Sequence, residues 1–224
     1  SHIAQAKGLT DEQTLALRQM TLTKDLNVLV GRAGTGKSYM LGAANAVWQD
    51  AGYDVMGISV SGIATKGLAE SSDIPSSTMA SFKQKLKYDR VQLDEKSILV
   101  VDEAGMMDLH DMALLVERSK RAGAKIVLVG DPDQLQPIGP GAPFRALAER
   151  HGFSELTDIY RQKDAGDKAA SRALAKGNVE QALAHYKDKG ALQMEETAGN
   201  AMKSLIAEWK PSKGLVKKGY TKET

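Results

Sequence analysis

The chain contains no cysteine, which excludes disulfides and thiolate metal sites. No apolar run approaches the length of a membrane span and no signal-peptide pattern opens the sequence, so the expectation is a soluble cytoplasmic protein. A strong excess of one charge is also missing. Thirty Lys and Arg against 28 Asp and Glu leave a formal net charge of +2, so overall basicity does not announce nucleic acid. Only the tail from Lys203 is locally basic, and a solvated, frayed terminus explains it at least as well as a phosphate-binding arm does. Internal repeats and low-complexity segments are lacking. The four histidines, His2, His110, His151 and His185, show no ligand spacing, and His110 and His185 read as ordinary helix-surface residues. What is present is ordinary for a globular protein. Over 224 residues, 42% are hydrophobic and 26% charged, enough to bury the core of one large domain or one domain with an appendage.

The most informative stretch is Gly31-Arg-Ala33-Gly34-Thr35-Gly36-Lys37-Ser38, which follows the apolar run Leu26–Val30 directly. Strand, glycine-rich loop and helix in that order are what a triphosphate-binding loop requires. Glycines let successive backbone N–H groups turn inward around phosphate oxygens, and a helix N-terminus adds partial positive charge. Lys37 is suited to reach the β- and γ-phosphates of ATP, and the Ser38 hydroxyl to ligate Mg²⁺.

Apolar runs alternate with helical periodicity along the chain. Residues 26–30, 54–60, 97–101 and 125–129 read as buried strands, and the last two lack polar alternation, as in a parallel sheet covered on both faces. Helices are expected at about 38–50, 78–88, 108–122 and 143–151. This pattern predicts an α/β fold: a doubly wound, mainly parallel sheet of P-loop NTPase type over 26–163. A helix precedes it within 1–25, opened by the capping-box spacing Thr10-Asp-Glu-Gln13. Residues 164–224 read as a helical extension with helices at 167–176, 178–188 and 198–209 and a strand at 192–195.

Further candidates lie at strand ends. Ile98-Leu-Val-Val-Asp102-Glu103 ends in two carboxylates, and strand ends carry ligands in open α/β sheets. Asp102 is suited to hold Mg²⁺ through its water shell, and Glu103 to orient the attacking water. Gly130-Asp131-Pro-Asp133-Gln134-Leu-Gln136-Pro137 places an amide, Gln134, able to detect a terminal phosphate. Tyr160-Arg161-Gln162 supplies a guanidinium suited to bidentate phosphate contact.

Taken together, these motifs resemble the first motor domain of superfamily-1 helicases, on the RecD-like branch that includes the helicase portion of TraA/TraI-type conjugative relaxases. The resemblance covers roughly residues 9–210. It implies a RecA-like domain whose ATP hydrolysis is coupled to 5′-to-3′ translocation on single-stranded DNA; a monomer is the expected state. It implies an adenine-reading role for Gln13, which the capping-box reading of the same residue rivals. It also places Ser59-Val-Ser61-Gly-Ile-Ala-Thr65-Lys66 where a motif links ATP to DNA, although Val60 and Ser61 depart from the commoner Pro and Thr. Ser77-Thr78-Met-Ala-Ser81-Phe82 resembles the next DNA-facing motif, and reads equally as a helix cap followed by a core Phe.

Motors of this family have two RecA-like domains with ATP in the cleft between them. After Trp209 only fifteen residues follow, too few for another α/β domain, so 164–224 is expected to hold, beyond its helices, only the truncated start of the second motor domain, the rest of which is missing. A relaxase nickase needs a histidine cluster and would lie in an upstream domain. Two other readings stay open: a different P-loop ATPase, such as an AAA+ or DNA-packaging motor, and a truncated nucleotide-binding module without motor activity.

Overall fold

The computed structural model describes residues 8–22, 25–32, 34–131, 141–158, 164–175 and 177–208. The chain divides into two units, Ser1–Arg161 and Gln162–Thr224.

The first unit is built on six parallel strands: β1 (Leu26–Gly31), β2 (Asp54–Ser59), β3 (Ser76–Thr78), β4 (Ser97–Val101), β5 (Lys125–Gly130) and β6 (Ser154–Leu156). Their order across the sheet is β3-β2-β4-β5-β1-β6. Helices α1 (Asp11–Thr21), α2 (Lys37–Asp50), α3 (Gly62–Ser72), α4 (Met79–Lys87), α5 (Leu109–Ala122) and α6 (Pro143–His151) surround it, with a 3₁₀ turn at Ala104–Met106. A doubly wound α/β fold is thus present.

Side-chain alternation along the strands builds a core on each face. Leu29, Val55, Ile98, Val100, Val127 and Val129 pack with Leu17 and Met20 of α1, Met40, Leu41 and Trp48 of α2, and Leu68 of α3. Their neighbours in sequence, Val28, Val30, Leu99, Val101, Ile126 and Leu128, point the other way, toward Met79 and Phe82 of α4, Met112 and Leu115 of α5, and Phe144 of α6. The unbroken apolar runs of β4 and β5 follow from this double coverage. Helix α1 therefore belongs to the sheet's core rather than standing apart from it.

Local signals fix the helix ends. Asp108 caps α5 by accepting from the Asp111 N–H at 2.8 Å, and Gly123 at φ 68° stops it. Three elements escaped the sequence reading: β3 and β6, each three residues long at a sheet edge, and α3, whose Gly62, Gly67, Ser71 and Ser72 weaken helical periodicity.

In the second unit, α7 (Ala165–Ala175) and α8 (Val179–Asp188) bury Ala170, Ala173 and Ala182 against Tyr186, and α9 (Ala198–Glu208) follows. The strand expected at 192–195 does not form; those residues are irregular, with Gln193 and Met194 exposed and Leu192 and Glu195 partly buried. Among the described residues no strand lies beside them to satisfy their backbone, and extended propensity alone does not make a sheet.

Candidate nucleotide site at the strand ends

The loop after β1 winds tightly. Gly34 and Gly36 sit at φ 84° and 80°, in the left-handed region that glycine enters without a Cβ penalty, and Gly36 is the residue from which α2 starts. A Cβ at Gly31 would meet Thr35 Oγ1 at 2.8 Å and lie 3.3 Å from both Lys37 Cδ and Leu156 Cβ. The buried Thr35 donates its hydroxyl to the Arg32 carbonyl at 2.9 Å, closing the turn. The Lys37 ammonium folds back into this loop and donates to the carbonyls of Gly31 and Arg32. It is held by its own cradle, where a phosphate could replace those carbonyls. Ser38 follows in the first turn of α2, and Ala33 lies outside the described residues.

Gln13 performs two tasks. Its Oε1 accepts from the Thr10 N–H at 3.2 Å while Thr10 Oγ1 accepts from the Gln13 N–H at 3.3 Å, completing the capping box of α1. Its Nε2 also donates to the Thr35 carbonyl at 3.5 Å, so the same buried amide ties the helix to the phosphate loop. The sequence spacing foretold the first task and held no signal for the second.

Across the strand ends stand Asp102 and Glu103. The Asp102 N–H donates to the Ile58 carbonyl at 2.8 Å, which carries the β2–β4 ladder one residue past β4. The Glu103 N–H donates to Asp102 Oδ1 at 3.0 Å. Burial pushes the Asp102 carboxyl above its ordinary value, opposed by that hydrogen bond and by Lys37. Glu103 is also pushed up, by burial and then by the neighbouring Asp102 charge, with Lys37 again opposing. Lys37 thus acts electrostatically on both carboxylates. Glu103 adopts φ 54° and ψ 34°, a left-handed conformation costly for a residue with a Cβ. Such strain gathers at functional sites because the surrounding fold can hold it.

The residues present suit a magnesium–triphosphate ligand. A hydroxyl at Ser38 and a carboxylate at Asp102 are hard oxygen donors of the kind Mg²⁺ takes, and the loop at Gly31 leaves no room for a side chain.

The hydroxyl-rich segments meet at one edge. Ser59 pairs with Thr78 in the β2–β3 register, so the starts of α3 and α4 lie on adjacent strands. Ser61 Oγ caps α3 by accepting from Ala64 N–H, and Thr78 Oγ1 caps α4 by accepting from the Ser81 N–H at 3.2 Å. Thr65 Oγ1 donates to the Ser61 carbonyl at 2.8 Å, and the strongly exposed Lys66 lies 3.8 Å from Glu70. The Ser61 and Thr78 hydroxyls are thus engaged as helix caps. Gln134 and Arg161 lie outside the described residues.

One cluster was not anticipated. Asp164, Asp167 and His185 bring ligand atoms within 4.8 Å of one another, although no spacing among the histidines suggested it. Lys189 Nζ lies 2.6 Å from Asp167 Oδ2, and His185 Nε2 is 2.9 Å from Asp167 Oδ1. The ammonium already neutralises the carboxylate, so the group reads as a staple between α7 and α8. His185 is half-buried within it and is not the plain surface residue expected.

A family model described as "AAA domain" matches residues 8–197. The chain belongs to this family, on its RecD-like superfamily-1 helicase branch. It is 44% identical over 201 residues to the probable conjugal transfer protein TraA of Sinorhizobium fredii, covering 90% of this chain and 18% of that protein. It is 34% identical over 161 residues to the ATP-dependent RecD2 DNA helicase of Deinococcus radiodurans, covering 70% of this chain and 22% of the helicase. The chain therefore spans about a fifth of the length of these relatives. Among solved structures, the Pif1 helicase from Candida albicans superposes with a TM-score of 0.62 at 22% identity, over 85% of this chain and 49% of that one, a likeness of fold. No helix among the described residues is long and apolar enough to cross a membrane.

Proposed function

We propose that this chain is the ATP-binding motor domain of a DNA helicase of conjugative transfer, coupling ATP hydrolysis to 5′-to-3′ translocation on single-stranded DNA. The observation that carries this reading is the convergence, at the carboxyl ends of one parallel sheet, of the glycine loop that holds Lys37 after β1 and the Asp102–Glu103 pair after β4, whose proton affinities Lys37 lowers. Backbone N–H groups of residues 31–36 and the Lys37 ammonium bind the phosphates, Ser38 and Asp102 hold Mg²⁺, and Gln13 meets the adenine edge. Magnesium supplies charge neutralisation at the γ-phosphate when bound. Glu103, whose proton affinity burial has raised, orients the attacking water and accepts its proton. Gln134 and Arg161 complete the response to the γ-phosphate. Ser61, Thr65, Lys66, Thr78 and Ser81 face the DNA backbone at the β2–β3 edge, where two helix N-termini favour phosphate.

Among the described residues, one six-stranded sheet carries the candidate nucleotide residues. We infer that the 224-residue chain alone binds nucleotide weakly, turns it over slowly and does not unwind DNA. The test is ATP turnover with and without single-stranded DNA, for the wild type and Lys37→Ala. Slow turnover stimulated by DNA and lost in the variant is the expected result. Turnover indifferent to DNA would favour another P-loop ATPase, and binding without turnover a nucleotide-binding module. Robust strand separation by the isolated chain, abolished by Lys37→Ala, would refute the claim that it cannot unwind.

A further inference from the structure

Among the described residues, four have a fully buried side-chain polar atom with no hydrogen-bond partner: Asn45, Trp48, Ser59 and Ser119. Asn45 and Trp48 lie in the body of α2, and Ser119 lies in α5. Ser59 alone of the four stands at the carboxyl end of a strand. It closes β2, and none of its surface reaches solvent.

Strand alternation fixes where its hydroxyl points. Val55 faces the α1–α3 side of the sheet, a Cβ on Gly57 would meet Leu68 on that same side, and Ile58 faces the opposite core. Ser59 therefore faces the α1–α3 side, the side of the phosphate loop. On β4, Ile98 and Val100 face that side too, so Asp102 follows them. The register pairs Ile58 with Val101, and the Asp102 N–H bonds to the Ile58 carbonyl at 2.8 Å. Ser59 and Asp102 are thus cross-strand neighbours on one face, about 5 Å apart at Cα by the ordinary spacing of strands. Within the sheet order, Ser59 flanks Asp102 on the side away from β1 and its loop.

A buried hydroxyl without a partner costs stability, and exchanging it for a methyl group would remove that cost. Its position beside a buried carboxylate supplies a reason for keeping it. We propose that Ser59 is a positioning residue for Asp102: in the magnesium–nucleotide complex its hydroxyl donates to the carboxylate and fixes the orientation in which Asp102 meets the metal's water shell. Outer partners of metal ligands act this way, by restricting the ligand's rotation. The proposal rests on the nucleotide reading above and adds to it a residue outside the phosphate loop.

The test is Ser59→Ala in the 224-residue chain, titrated with a fluorescent N-methylanthraniloyl-ATP at stepped MgCl₂ concentrations and in EDTA. The expected result is a Mg²⁺ midpoint raised about tenfold, with metal-free affinity unchanged. The melting temperature should equal or exceed that of the wild type, which separates positioning from misfolding. Asp102→Asn should raise the midpoint as well, and adding Ser59→Ala to it should change nothing further. An unaltered midpoint in Ser59→Ala, or full additivity in the double variant, overturns the proposal while leaving nucleotide binding intact. If instead wild type and Lys37→Ala bind the probe equally poorly, the nucleotide reading itself fails and this inference falls with it.

Discussion

The two units of this chain bury their side chains on different scales. The first packs two layers of large apolar residues against both faces of a parallel sheet. The second closes around three alanines and a tyrosine, with an ion-pair cluster at its side. A large core can hold a residue in a costly conformation, and a small one cannot. All three non-glycine residues with positive φ among the described ones, Asp73, Asp89 and Glu103, lie in the first unit. Chemistry that needs fixed geometry belongs there.

The sharpest way to test that contrast is to cut each core. Leu99 is fully buried in the middle of β4, so Leu99→Ala leaves a cavity between sheet and helices and should cost roughly 4 kcal/mol in urea unfolding. Ala182→Gly, in the second unit, should cost about 1 kcal/mol, the helix-propensity difference, and act within that unit. Equal losses would mean that the two cores are comparable after all.

Glu103→Gly separates strain from chemistry. Loss of the side chain should slow turnover by about 10²-fold or more, as removal of a positioned base does. Relief of the left-handed backbone should at the same time raise unfolding stability by up to about 1 kcal/mol. A variant both slower and less stable would show that the conformation is not held against a cost.

The unequal visibility of these features in the sequence has the same origin. Runs such as Ile98-Leu-Val-Val101 announce themselves because both faces are buried, and the phosphate loop announces itself because glycine spacing and a following helix are local facts. The edge strands β3 and β6 are three residues long and carry no run to notice. The capping box of Gln13 was legible for the same reason as the loop, while its bond to Thr35 spans 22 residues and depends on packing. Ser59 beside Asp102 becomes visible only once the β2–β4 register is known, because no sequence spacing relates residues on separate strands. The Asp167–His185–Lys189 cluster needs α7 and α8 to be antiparallel neighbours, which their sequences do not state.

A subtler test concerns how α1 is fastened to the sheet. Glu12 accepts from the Thr157 N–H and hydroxyl at 2.8 Å each, and from the Asp158 N–H at 3.3 Å. Burial alone would raise its proton affinity, but these hydrogen bonds outweigh it and hold the carboxyl below the usual range. A lowered value in the folded state makes the contribution fully present above the ordinary glutamate range and lost as pH falls through the lowered value. Glu12→Gln should therefore cost less than about 1 kcal/mol at neutral pH, given partial exposure and screening. The difference between wild type and variant should shrink on acidification. A gap that widened at low pH would refute the assignment.

The smallest effect is expected at the surface of the second unit. Lys189 first, and His185 after it, hold the Asp167 carboxyl below its usual range, yet all three groups keep part of their surface in water, where such pairs contribute little. Lys189→Ala should leave the cooperative unfolding of the first unit unchanged and speed amide exchange only in α7 and α8. Raising the salt concentration should reproduce that local change in the wild type, since screening weakens an exposed pair without removing it. If the variant instead lowered the main unfolding transition, the second unit would be stabilising the first through this cluster. The staple would then matter well beyond the two helices it joins.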